Sequence, residues 1–138
     1  MKKLLIICTG NSCRSQIAHG YLEFFGGSNV EIYSAGVEVH GVNPTAIQIM
    51  SNDGIDISSN TSNHIDEYLS IDFDYIITVC DHAKESCPLI TNKPAVKIHK
   101  NFFDPSKVDS KSKLYLEGFR KLRIQMREYC KSFIEKIV

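Results

Sequence analysis

The sequence has no excess charge of either sign: 16 Lys and Arg stand against 16 Asp and Glu in 138 residues. This argues against nucleic acid as the main partner, because such binding rests on a basic surface. No apolar run approaches the ~20 residues that a membrane-spanning helix requires, so no membrane role is expected. Internal repeats, low-complexity tracts and long linkers are missing too. The length suits one domain, expected to cover 1–138. Met1-Lys2-Lys3 followed by Leu4-Leu5-Ile6-Ile7 superficially resembles a secretory leader, but its apolar part is too short and runs straight into Cys8. It reads as the buried first strand of a cytoplasmic protein. An even cysteine complement is also lacking. The five cysteines are Cys8, Cys13, Cys80, Cys87 and Cys130, and an odd number without a leader does not suit a secreted disulfide framework.

Short apolar runs alternate with helical patterns. Strands are expected over Lys3 to Cys8, Val30 to Ala35, Tyr75 to Val79 and, more weakly, Ala95 to His99. Ser15 to Phe25 reads as a helix with Ile17, Tyr21 and Phe24 on one face, ended by Gly26-Gly27. Asn43 can cap a second helix that Pro44 opens and Asp53-Gly54 breaks, with Ile47 and Met50 inward. A short helix is expected from Asp66 to Leu69. From about Lys113 a long amphipathic helix carries the stripe Leu122, Met126, Tyr129, Phe133 and Ile137, with Cys130 on its apolar side. Its basic stretch from Arg120 to Arg127 reads as a solvated face.

This alternation implies an α/β fold with a parallel sheet covered on both faces. Ligands of such sheets bind beyond the carboxyl ends of the strands. Cys8 and Cys80 each stand at such an end. If the first and third strands are neighbours, both thiols face one cleft.

The segment Cys8-Thr9-Gly10-Asn11-Ser12-Cys13-Arg14-Ser15 joins the first strand to the first helix. Small residues let the chain curl so that several backbone N–H groups converge. The helix N-terminus adds positive potential. Arg14 can hold two oxygens of a tetrahedral anion. A cysteine in that field is expected to be a thiolate at neutral pH, and Ser15 can donate a hydrogen bond to it. Thr9, Gly10, Asn11, Ser12, Cys13, Arg14 and Ser15 therefore form the expected oxyanion cradle, with Cys8 as nucleophile. The Gly-Lys-Ser/Thr ending of a Walker A loop is absent.

The run Cys8 to Gln16 resembles the signature of thioredoxin-coupled arsenate reductases, which share the fold of low-molecular-weight protein tyrosine phosphatases. Tyr33-Ser34-Ala35-Gly36, His40-Gly41-Val42-Asn43-Pro44, Ile55-Asp56-Ile57-Ser58, Thr61-Ser62, Cys80 to Pro88 and Asp104-Pro105 extend the resemblance over nearly the whole chain. It implies a single-domain three-layer sandwich around a four-stranded parallel sheet. It implies arsenate reduction by a relay of Cys8, Cys80 and Cys87, with thioredoxin supplying the electrons. Cys13 is outside that relay in the family and is expected to point away from the ligand. Asp104 becomes the general acid, although Phe103 stands where relatives often carry a second acidic residue. Asn11 is expected to brace the loop, with Ser34 holding Asn11. Some relatives bind potassium nearby through carboxylates. His19 and Asn63 stand at those positions here, so no such site is expected.

Cys80 and Cys87 also suit thiol–disulfide exchange on their own terms, because the segment between them is polar and expected to be exposed and mobile. Zinc bound by Cys80, His82 and Cys87 lacks a tight cysteine pair and a fourth ligand. His40, His64, His82 and His99 lack metal-ligand spacing. A monomer with no resident metal or cofactor is expected. Two rivals remain: a phosphatase using only Cys8, Arg14 and Asp104, and a non-catalytic anion or redox sensor switching at Cys80 and Cys87. No aromatic clamp for phosphotyrosine directly follows Asp104.

Overall fold

A computed structural model describes residues 1–86 and 95–138, with the backbone alone for 84–86. Four parallel strands, β1 (Lys2–Cys8), β2 (Val30–Gly36), β3 (Tyr75–Thr78) and β4 (Val96–His99), form one sheet in the order β2-β1-β3-β4. The helices are α1 (Arg14–Gly26), α2 (Pro44–Asn52), α3 (Asp81–Ser86) and α4 (Leu114–Ile137). Leu4, Leu5, Ile6, Ile7 and Cys8 are all buried. Successive strand side chains point to opposite faces, so unbroken burial means that both faces of β1 are covered. The three-layer expectation is met. Edge strand β4 exposes Val96 and Lys97, which explains its weak apolar signal.

Asn43 caps α2 as expected, accepting the N–H groups of Thr45 and Ala46. The stripe on α4 packs inward, with Met126 and Cys130 buried against the core. Among the described residues no helix is long and apolar enough to cross a membrane.

Two local readings are corrected, Phe24 on α1 and the basic stretch of α4. Phe24 is 59% exposed. The inward face of α1 follows Ile17, Tyr21 and Phe25, four residues apart, and Phe24 meets only the edge of Phe25. On α2, Ala46, Ile49 and Met50 are buried, and Ile47 packs half-buried against the core, so Ile47 and Met50 face inward as expected. The polar segment after Cys80 forms α3, with Asp81 and His82 exposed as expected; Ala83, Lys84 and Glu85 are good helix formers. The basic stretch of α4 is not merely solvated. Arg123 donates to the carbonyl of Ile49, and Arg127 pairs with Asp53 at 2.6 Å over the rings of Tyr21 and Phe25.

Candidate active site

β1 ends at Cys8 and α1 begins at Arg14, leaving five residues to turn the chain. The direction of the loop's peptide groups follows from its carbonyls. Those of Cys8, Thr9, Gly10 and Ser12 accept the N–H groups of Val37, Glu38, His40 and Asn43, and that of Asn11 accepts Gln16 Nε2. All five are drawn to the outer side of the loop. In a trans peptide the next residue's N–H points opposite the carbonyl. The amides of Gly10, Asn11, Ser12 and Cys13 are thus turned inward, as an anion cradle requires.

Asn11 sustains this turn with φ at +48°, the left-handed region. Its buried side chain donates to Ser15 Oγ at 2.7 Å and accepts Asn63 N–H at 2.8 Å. Because Ser15 Oγ receives Asn11, its own proton is free for Cys8 Sγ, 2.9 Å away. A thiolate at Cys8 therefore has an aimed donor. Gly36 lies so close behind the loop that a Cβ there would stand 2.7 Å from the Asn11 nitrogen. Asn11→Ala is expected to lower the unfolding free energy by about 2–4 kcal/mol, from two buried hydrogen bonds and the left-handed backbone. Denaturant titration measures it. Asn11→Gly should recover only the backbone share.

Arg14 lies under the cradle, almost wholly buried. It donates to the carbonyl of Phe102 at 3.3 Å and faces Asp104 Oδ2 at 3.4 Å. Its Nε has no hydrogen-bond partner among the described residues. A buried guanidinium N–H without an acceptor is costly. An oxyanion oxygen in the cradle would satisfy it. The cavity above has a volume of about 470 Å³ and is reached by Cys8, Arg14, Asp104, Glu38, His40 and His82.

Asp104 Oδ1 accepts the hydroxyl and N–H of Ser106 and the thiol of Cys13. Burial alone would raise its pKa. Ser106, the Arg14 charge and Cys13 outweigh burial and hold the carboxyl below its ordinary range. Burial, with Asp104 and Cys8 nearby, pushes the Cys13 thiol up to about 12. Cys13 therefore points to Asp104 at the cavity and not away from it, which corrects the expectation.

β1 and β3 are neighbours. Thr9 Oγ1 lies 3.3 Å from Cys80 Sγ, so the second thiol adjoins the loop that carries Cys8. Cys8, Cys13, Cys80 and Cys130 are free thiols, and Cys80 is buried. Cys87 lies outside the described residues.

Ser34 does not hold Asn11. Its hydroxyl pairs with His19 Nδ1 at 2.8 Å, because the Asn11 amide is already taken by Ser15 and Asn63. His19 Nε2 faces Glu23, and the Asn63 amide nitrogen donates to Glu67. Among the described residues no cluster of three His, Cys, Asp or Glu side chains is suited to a metal. The brace from Gln16, Thr61 and Asn63, and the role of Ser106, were missed from sequence. Asn63 lies 52 positions from Asn11, and no local pattern announces such a contact.

Residues 3–138 match the family described as low molecular weight phosphotyrosine protein phosphatase. An arsenate reductase of Halalkalibacterium halodurans is 40% identical over 134 residues, covering 97% of this chain and 96% of that protein. A solved arsenate reductase in an oxidized state is 34% identical over the whole of both chains, with a TM-score of 0.84. Another, in the phosphate binding state, is 35% identical over the whole of both chains, with a TM-score of 0.79. By this match and this geometry, the chain belongs to the low molecular weight phosphotyrosine protein phosphatase family.

Proposed function

We propose that this protein reduces arsenate to arsenite through Cys8, Cys80 and Cys87, with thioredoxin as the reductant. The observation that carries the reading is the Cys80 thiol at Thr9, beside the loop of the first thiol. Ester hydrolysis has no use for a second thiol there. The full-length relative from Halalkalibacterium halodurans bears the name arsenate reductase, which supports the same choice.

Arsenate binds on the inward amides and the free N–H of Arg14. The Cys8 thiolate attacks arsenic, and Asp104 gives its proton to the departing oxygen, which leaves as water. Cys80 then attacks Cys8. The sulfur–arsenic bond breaks, its electron pair stays on arsenic as As(III), and a Cys8–Cys80 disulfide forms. Cys87 next attacks Cys80, returning Cys8 as a thiolate and leaving Cys80–Cys87. The dithiol of thioredoxin takes over the oxidation.

The third step bends the chain. A six-residue helix such as α3 spans roughly 9 Å, while bridged cysteines need Cα atoms within about 7 Å. In this reading α3 unwinds so that residue 87 can return to residue 80.

Among the described residues no Phe or Tyr reaches the cavity over Cys8, whose mouth carries Glu38, His40 and His82. That wall favours a small inorganic oxyanion over a phosphotyrosine ring, while slow hydrolysis of small phosphate esters remains expected. Electrons come from thiols and thioredoxin, so the cycle calls on no resident cofactor. A monomer working in the reducing cytoplasm completes the proposal.

The test uses reduced protein and arsenate without any reductant. One arsenite per chain and a Cys80–Cys87 disulfide on mass mapping are expected, and thioredoxin should then allow repeated turnover. No arsenite, or arsenite without that disulfide, defeats the proposal.

A further inference from the structure

Cys80 stands between two residues that meet on one imidazole. Thr78 Oγ1 is 2.7 Å from His99 Nδ1, and Asp81 Oδ1 is 2.7 Å from His99 Nε2. Thr78 ends β3, Asp81 opens α3, and His99 ends β4, where the strand register sets it opposite Thr78. Asn101, two residues further on, accepts the Asp81 N–H at 3.2 Å. The chain from residue 78 to residue 81 is thus held at both ends by β4 and the segment after it.

Both ring nitrogens are used, and the contacts suit either protonation state. Nε2–H donates to the Asp81 carboxylate. The Thr78 hydroxyl can give its proton to Nδ1 or accept one from it. The Asp81 side chain is 71% exposed, so the pair adds little to global stability. Its effect is local. Thr78 is buried and Cys80 is 2% exposed, so small shifts of this short span move the sulfur relative to Thr9 and the loop.

We infer that His99 is a positioning residue: by bridging Thr78 and Asp81 it fixes Cys80 for attack on Cys8, and it releases Asp81 when α3 unwinds. The inference rests on the relay proposed above. A thiol held in place before attack reacts as an intramolecular nucleophile, and displacement by about 1 Å can cost 10²-fold.

Two measurements on the full chain test it. The first labels reduced protein with iodoacetamide and follows Cys80 by mass spectrometry. His99→Ala and Asp81→Ala should raise the labelling rate about tenfold, because the buried thiol loses its frame, and His99→Gln should restore most of the protection. Asp81→Ala changes an exposed side chain, so it answers the question even if the histidine variant folds poorly. The second measurement adds arsenate to a Cys87→Ser background, where the relay stops at Cys8–Cys80. Bond formation should slow about tenfold in His99→Ala and Asp81→Ala. The KM for arsenate and the hydrolysis of p-nitrophenyl phosphate should stay at parent values, which a general loss of structure would not allow.

Cys80 labelling at the parent rate in both alanine variants overturns the inference, whatever arsenate does. If the Cys87→Ser parent forms no Cys8–Cys80 bond, the relay itself fails, and the labelling rates still decide the place of His99.

Discussion

Cys80→Ser is expected to lower thioredoxin-driven arsenate turnover by at least about 10³-fold, while hydrolysis of p-nitrophenyl phosphate stays near the parent rate. The asymmetry follows from where Cys80 sits. It touches the Thr9 hydroxyl and the Ala83 N–H, and is in hydrogen-bond contact with neither Arg14 nor Asp104. Serine keeps a hydrogen-bonding atom for both contacts, so the cradle keeps its shape. Attack on a phosphate ester uses Cys8, Arg14 and Asp104 alone. Reduction needs a sulfur that can take Cys8 into a disulfide, and a hydroxyl cannot do so. Assays of arsenite release and nitrophenol release on the same preparation check it. Arsenate turnover at the parent rate would remove Cys80 from the mechanism. Loss of both activities would show that its role is to shape the loop.

Asp104→Asn is expected to split binding from chemistry. The first chemical step should fall about 10²–10⁴-fold, because the leaving oxygen departs without a proton donor. Affinity for phosphate should rise about fivefold, the ~1 kcal/mol of one like charge at close range in water. The second effect comes from the free state. Arg14, Ser106 and Cys13 together hold Asp104 below the ordinary carboxylate range against the upward pull of burial. The group is therefore ionised at neutral pH and opposes an incoming dianion. To act as an acid it must take up a proton as the anion binds. Phosphate affinity should accordingly rise as pH falls through the neutral range, and the asparagine variant should flatten that dependence. Calorimetric titrations at several pH values measure both slopes. A parent slope equal to that of the variant would place the transferred proton elsewhere.

The pair Arg14–Asp104 also gives Arg14 a choice of partners. Its Nη2 faces Asp104 at 3.4 Å and its Nε faces no acceptor among the described residues. The approach is long for a charge-assisted hydrogen bond, whose usual range is about 2.7–2.9 Å. An oxyanion on the cradle offers Arg14 better acceptors, and Asp104 is then left free to gain its proton.

The parts legible in the sequence were local. The apolar run to Cys8, the small residues after it and Arg14 at the head of a helix lie within a few positions of each other, so their geometry is nearly written in their order. Asn43 and Pro44 announced α2 for the same reason. The placement of Cys80 beside Thr9, in the loop that Cys8 opens, was a step less direct. It depended on β1 and β3 being neighbours, as the observed strand order has them.

The misread parts were choices among partners. Asn11 and Ser34 are both polar and both near the loop, but α1 places His19 against Ser34, and the segment that follows Thr61 brings Asn63 against Asn11. Cys13 was expected to turn away, yet Asp104, 91 positions later, draws its thiol toward the cavity. The helical form of the segment after Cys80 was not read from its polar residues. Its helix forms where β3 ends and Asn101 accepts its first N–H.

The sequence by itself determined that a strand ends at Cys8, that small residues turn the chain, and that Arg14 opens a helix, since strand, turn and helix N-terminus are consecutive. Tertiary structure alone decided which side chains brace that loop, that Arg14, Ser106 and Cys13 converge on Asp104, and that Thr78 and Asp81, on either side of Cys80, meet on His99. The physical reason is range. Backbone geometry is set by neighbours along the chain, whereas buried polar groups must find partners wherever packing brings them.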